Sequence, residues 1–250
     1  MRSIDFKEFF SGFLAMFFPK RCVACGELLE FDYRDCLCPD CREEWDEAKV
    51  EICDVCGKTQ TRCRCAYGKE HVDMVRHLAA YDHNKREGVA NRIVYNLKKS
   101  NYNVLFLFVA DEMANELVDF KVDENTVVAG VPRSPGSVRR YGYDHAKKLA
   151  RVLAERLEVG YIDALGHYGG KQEQKTLNKS QRALNAKENC YLKNGIGDSL
   201  KGKTVLLVDD IITTGAMTGA CAEQLHLGGA KRVICLLAAK NRLDKEAKKK

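Results

Sequence analysis

The chain has 250 residues, 45% hydrophobic and 30% charged, enough for one sizeable α/β core with a smaller module beside it. Its net charge of +6 is uneven: residues 1–70 hold 11 Lys/Arg against 14 Asp/Glu, and the remainder holds 30 against 21. No run of about 18 apolar residues occurs, which excludes a membrane-spanning helix, while a basic body fits anionic ligands such as pyrophosphates or nucleic acid.

The N-terminus carries Phe9, Phe10, Phe13, Leu14, Phe17 and Phe18. Asp5, Lys7 and Glu8 break the start of this run, and no small-residue cleavage site follows. Residues 1–20 therefore read as an amphipathic helix packed on the body, not a secretion signal. Eight of the twelve cysteines then fall into closely spaced pairs. Without a secretion signal, that pattern points to a reducing, cytoplasmic setting and to metal, not to disulfides. Cys22, Cys25, Cys38 and Cys41 form two Cys-x2-Cys pairs with twelve residues between them, close to the ribbon spacing of a tetrahedral zinc site. Cys53 and Cys56, with Cys63 and Cys65, make a second set, and Cys36 is a bystander. Glycine follows the first pair of each set, at Gly26 and Gly57, where the turn needs it. All-cysteine ligands leave no open position to activate water, so the zinc is structural. Residues 21–70 thus read as a double zinc ribbon whose acidic balance suits docking better than DNA reading.

From about residue 71 the pattern changes. Val75–Tyr81 predicts a strand, Glu87–Lys99 a helix, Val104–Phe120 a second helix and Val127–Val131 a short buried strand. That strand enters a loop rich in Pro, Gly and Arg, including Pro132, Arg133, Ser134, Arg139 and Arg140, before a helix that runs to about Leu157. Tyr161–Leu165 predicts another strand. Residues 169–189 are polar and lack apolar periodicity, which predicts a mobile loop over a site. Val233–Ala239 predicts a last buried strand, ahead of a basic tail at 244–250. Alternating strands and helices over 71–243 imply a parallel sheet with right-handed crossovers.

The stretch 205–219 carries the strongest chemical signal. Val205–Val208 is wholly apolar, as a strand buried on both faces should be, and ends in Asp209 and Asp210. Thr213, Thr214 and Gly215 follow, then a helical pattern from about Ala216 to Leu227. A Thr/Gly turn delivered onto a helix N-terminus aims backbone N–H groups at one point and makes an anion site. Two carboxylates at the carboxyl end of the strand are placed for ribose hydroxyls or Mg²⁺.

This stretch closely resembles the phosphoribosyl-pyrophosphate (PRPP) signature of type I phosphoribosyltransferases. Together with the Cys-rich ribbon, the Val131-Pro132 loop, Arg139-Arg140-Tyr141-Gly142-Tyr143 and Gln174-x2-Leu177-x4-Arg182-x2-Asn185, it gives an order that resembles the ComF family, associated with competence and DNA uptake. The resemblance implies an α/β fold: a type I phosphoribosyltransferase-like parallel sheet flanked by helices, plus the N-terminal zinc-ribbon module. It implies PRPP with Mg²⁺ on Asp209, Asp210, Ile212, Thr213, Thr214, Gly215, Ala216 and Thr218, with the pyrophosphate near Pro132, Arg133, Ser134, Arg139 and Arg140. The chain departs from the family twice: Tyr143-Asp144-His145-Ala146 replaces Phe-Asn-Gln-Ala, and Gly169-Gly170-Lys171 replaces Arg-x-Thr. No residue is assigned a catalytic role: His145 could serve as a general base, but a lone His beside a helix start is more often a satisfied structural residue. Three functions compete at this stage: a PRPP-binding component of DNA uptake, a transferase releasing pyrophosphate to an unknown acceptor, and a zinc-held adaptor. For the first, single-stranded DNA and uptake proteins are the expected partners, with DNA contacted through Arg139, Arg140, Lys147, Lys148 and the Lys245–Lys250 tail.

Overall fold

The computed structural model describes residues 19–30, 35–65, 71–82, 87–169, 186 and 188–242. The Phe-rich stretch, most of the 169–189 loop and the basic tail lie outside the described residues. In chain order the elements are α1 (Pro39–Val50), β1 (Met74–Tyr81), α2 (Val89–Lys99), α3 (Asn103–Asn115), β2 (Thr126–Gly130), α4 (Pro135–Tyr141) and α5 (His145–Leu157). There follow β3 (Gly160–Tyr161), β4 (Leu165–His167), β5 (Cys190–Leu192), α6 (Gly197–Leu200), β6 (Thr204–Ile212), α7 (Ala216–Leu227) and β7 (Arg232–Asn241).

Strands β1, β7, β6, β2 and β3 form, in that order, one sheet in which every pairing is parallel. Its central strand β6 is apolar on both faces, and the side-chain period of two sorts the core. Leu206 and Val208 pack with Leu97, Phe106, Val109, Leu149 and Leu153 of helices α2, α3 and α5. Val205 and Leu207 face the other way, onto Cys221, Ala222 and Leu225 of α7. The chain leaves β2 through α5 toward β3, and leaves β6 through α7 toward β7. Successive crossovers thus diverge between β2 and β6, the switch point where open α/β sheets bind ligands.

The first half of the zinc-ribbon region shares the main core. Cys22, Leu37, Cys41 and Trp45 join the same cluster as Leu78, Phe106 and Leu149. Trp45 of α1 sits edge-on to Phe108 at 5.6 Å, and its indole N–H donates to Glu112 Oε2 at 3.1 Å, the kind of partner that a buried Trp usually finds.

Several predicted boundaries move. β6 continues through both aspartates to Ile212 because β7 pairs with it as far as Ile212–Lys240. Tyr161–Leu165 is not one strand: Asp163 interrupts it, ion-paired to Lys147 at 2.7 Å and Lys193 at 2.6 Å. The chain therefore leaves the main sheet after β3, and β4 pairs instead with β5, antiparallel. The loop predicted after β2 contains α4, whose signals are local. Ser134 caps it by accepting from Ser137 N–H, Pro135 opens it, and Gly142 closes it at φ 79°. The second predicted helix stops at Asn115 and turns on to Phe120.

Candidate ligand site and metal centres

β2 pairs with β6 only as far as Gly130–Val208, where Val131 N–H donates to Val208 O. Beyond that point β6 projects past its neighbour. The N–H of Asp210 is taken by Asp209 Oδ1 at 2.8 Å, and Asp210 Oδ1 accepts from Ile211 N–H at 2.8 Å. The alternation that sorts the core also separates the acids. Asp210 falls on the face of Leu206 and Val208, where Lys98 Nζ of α2 stands 3.0 Å away and His145 Nε2 of α5 stands 3.3 Å away. Asp209 falls on the α7 face, near Cys221 and Cys235.

These surroundings drive the two carboxyls apart. Burial alone would raise Asp210, but His145 and Lys98 outweigh it and hold its carboxyl well below the ordinary range. Asp209 is pushed well above its ordinary value by burial, and the Asp210 charge adds to the effect. Burial would lower Lys98, yet Asp210 keeps it raised. One acid is thus committed as an anion within a buried ion cluster, and the other is the more easily protonated.

The predicted phosphate turn follows at once. Gly215 takes φ 74°, a left-handed conformation that only glycine adopts without strain. As the N-cap of α7 it supplies no side-chain acceptor; Ala216 N–H reaches Thr214 Oγ1 at 3.4 Å, and the first-turn N–H groups that follow are directed at the place an anion would take. Thr213 is exposed and Thr214 and Ala216 are partly so, whereas Ile212 packs with Val75, Cys235 and Leu237 and Thr218 is buried. On the β2 side, Pro132 is buried and Arg133 is anchored. The Arg133 N–H donates to Asp144 Oδ2 at 2.9 Å, and its guanidinium lies 4.4 Å from the Tyr141 ring. Arg139 and Arg140 are exposed.

Asp144 explains one departure from the family pattern: it caps α5 by accepting from Lys147 N–H while gripping Arg133. His145 is not a satisfied structural residue. It is 6% exposed, Nδ1 finds no hydrogen-bond partner among the described residues, and Nε2 faces Asp210. Lys98 escaped the sequence reading, because a lysine in the last turn of a helix is ordinary. Only the fold brings it to Asp210. Two side chains from the β2 side hold that turn, with Tyr143 OH donating to Leu97 O at 2.6 Å and Arg133 Nη1 to Lys98 O at 3.4 Å.

The eight paired cysteines converge into two groups of four. In each, one sulfur per residue lies within 4.8 Å of the others. Tetrahedral zinc with bonds of about 2.3 Å would separate its sulfurs by about 3.8 Å, and Cys25 Sγ and Cys38 Sγ are 3.7 Å apart. The two knuckles repeat each other: Gly26 and Gly57 have positive φ and donate to Cys22 O and Cys53 O, both at 2.9 Å. Burial acts to raise the thiols, yet backbone N–H groups hold Cys22 at about 7 and Cys53 at about 6. Their neighbours Cys38 and Cys63 are pushed up to about 11 and about 12. Four thiols this close do not all ionise unaided, so the donor set fits a structural zinc ion in each group. Cys36 lies outside both.

Residues 100–250 match the phosphoribosyl transferase domain family, and residues 13–71 match the double zinc ribbon domain. The chain belongs to the phosphoribosyl transferase family. It is similar to the competence protein ComFC of Streptococcus pneumoniae, with 28% identity over 232 residues covering 85% of this chain and 96% of that protein. With the double ribbon ahead of its transferase domain, it is a ComF-type, phosphoribosyltransferase-like protein. Amidophosphoribosyltransferase of Pasteurella multocida is 29% identical over 131 residues, 52% of this chain but only 23% of that protein. Among solved structures it is similar to the hypoxanthine phosphoribosyltransferase of Staphylococcus aureus, at 14% identity and a TM-score of 0.35, covering 56% of this chain and 73% of that one.

Proposed function

We propose that this protein binds PRPP with Mg²⁺ at the crevice between β2 and β6, and that it does so as a component of competence and DNA uptake. The observation that carries the reading is the acid pair at the switch point, one carboxylate held ionised by Lys98 and His145, next to a helix N-terminus whose N-cap is glycine. The 5′-phosphate belongs on the Thr213–Ala216 turn and the ribose hydroxyls on the acid pair. The pyrophosphate lies toward Arg133, Ser134 and the exposed Arg139 and Arg140. Among the described residues, one ligand atom each of His145, Asp209 and Asp210 lie within 4.8 Å of one another, but Asp210 is already engaged by Lys98 and His145. The ion fits as a hydrated counter-ion of the pyrophosphate, within reach of Asp209.

A second reading, transfer of the phosphoribosyl group to an acceptor with release of pyrophosphate, is favoured by one observation. The Asp209 carboxyl is raised, the direction required of a general base working near neutral pH. The cysteine clusters suit the reducing cytoplasm. For single-stranded DNA the best-placed contacts are Arg139, Arg140 and Tyr141, since cations beside aromatic rings are the elements of a stacking platform. Lys147 is a poorer candidate, being paired to Asp163.

Calorimetry with PRPP at rising Mg²⁺ tests the binding. Saturable, magnesium-dependent binding of one PRPP per chain is expected, and absence of binding at millimolar PRPP would overturn it. Pyrophosphate release across candidate acceptors then separates the two readings.

A further inference from the structure

Lys240 is a buried lysine, 3% exposed, near the end of β7. A lysine ammonium buried without an anion nearby is strongly disfavoured. Among the described residues no carboxylate lies within ion-pair distance of its amine. Its hydrogen bonds go to two sulfurs of the second cysteine group, Cys53 Sγ at 3.5 Å and Cys63 Sγ at 3.4 Å. Two neutral thiols cannot balance an ammonium, whereas four thiolates on one Zn²⁺ leave about two negative charges.

We propose that Lys240 is the charge-balancing, positioning residue of the second zinc centre, so that this centre is fastened to the carboxyl end of β7, the strand paired with β6 on the side away from the ligand crevice. The register gives the attachment its consequence. Lys240 is paired in the sheet with Ile212 of β6 and with Ala80 of β1, and Thr213 of the phosphate turn follows Ile212 directly. Stripping the second zinc would leave a buried cation unbalanced next to the strand that delivers that turn. The first centre is built differently. Arg92 Nη2 lies 3.5 Å from Cys41 Sγ, but its guanidinium is partly exposed and already paired with Glu44 at 2.7 Å. The two centres therefore respond differently to loss of their cations.

The test is zinc release from the full chain to a metal-binding dye, with native mass spectrometry counting the ions retained. Wild type should hold two zinc ions. Lys240→Met should release one of them about 10–100-fold faster, the usual effect of losing a partner of a metal ligand, and leave the other unchanged. Lys240→Arg, which keeps the charge, should stay near wild type. Identical release from Lys240→Met, or a single zinc in wild type, would overturn the proposal. A Cys56→Ser chain, altered at the exposed ligand of the second centre, guards against a Lys240→Met chain that does not fold. Its amides at Ile211–Thr214 and Ala238–Asn241 should exchange faster than in wild type, and unchanged exchange there would equally overturn it.

Discussion

Replacing the two aspartates one at a time should separate folding from binding. Asp210→Asn keeps the shape of the side chain but leaves Lys98 and His145 facing a neutral amide in a buried site. Breaking a buried pair by removing one partner costs roughly 3–5 kcal/mol. The low end applies here, about 3 kcal/mol, because the Lys98 side chain is 35% exposed and can turn toward water. For a chain of this size that lowers Tm by about 6–12 °C. Asp209→Asn should leave Tm unchanged or raise it, since burial opposes ionisation of that carboxyl and an amide oxygen still accepts from Asp210 N–H. Its effect falls on PRPP, where a hydrogen bond from a sugar hydroxyl is weakened, worth roughly 0.5–1.5 kcal/mol. Thermal scans and PRPP calorimetry on both variants, with Lys98→Met added to Asp210→Asn, make the assay. Once Asp210 is neutral, the second substitution should cost little more. Equal losses of Tm in both single variants would refute the division of labour, as would full additivity of Lys98→Met with Asp210→Asn.

Three further outcomes follow from particular residues. Burial, with Lys240 and Arg64 nearby, lowers His77 to about 3. Its neutral form therefore contributes stability above pH 6.5 that is lost as pH falls toward 3, by up to about 1.4 kcal/mol per unit. Urea unfolding at pH 7 and 5 should cost wild type about 2 kcal/mol more than His77→Gln, and parallel losses would refute it. Chelation of zinc should lower the unfolding temperature of the whole chain in one transition, because the first ribbon shares the main core; a separate ribbon transition, leaving the main one unmoved, would refute that. Single-stranded DNA should bind without sequence preference and weaken steeply with salt, and Arg139→Gln with Arg140→Gln should reduce the salt slope by about 1.4. Binding retained in that double variant would move the contact elsewhere.

The fold was legible wherever one chemical signal sufficed. Val205–Val208 in β6 and Val233–Ala239 in β7 are unbroken apolar runs, and the cysteine pairs carry their own spacing. The sequence reading lost accuracy where a short element is made by its ends. α4 is seven residues with an arginine-rich body, and only Ser134, Pro135 and Gly142 announce it. Tyr161–Leu165 reads as a strand by hydrophobicity alone, yet a carboxylate in its middle, salt-bridged from two sides, turns the chain out of the sheet. The packing of the ribbon against the body was not legible at all. Trp45 looks like one aromatic residue in a charged helix until Phe108 and Glu112, more than sixty positions later, are placed against it.

The candidate site divides along the same line. Its anion turn is local in sequence, since glycine must stand where φ is positive and hydroxyl residues must precede the helix. The electrostatics are not local, because each partner of Asp210 comes from a different helix. Lys98 arrives from α2, whose other side is gripped by the first ribbon: Arg92 reaches Glu44, and Asn96 donates to Val23 O at 2.8 Å. His145 arrives from α5, started by an Asp144 that also holds the Arg133 N–H. Two adjacent acids in a sequence look interchangeable. The period of a strand sends them to opposite faces, and the helices packed on one face decide which of the two is kept charged.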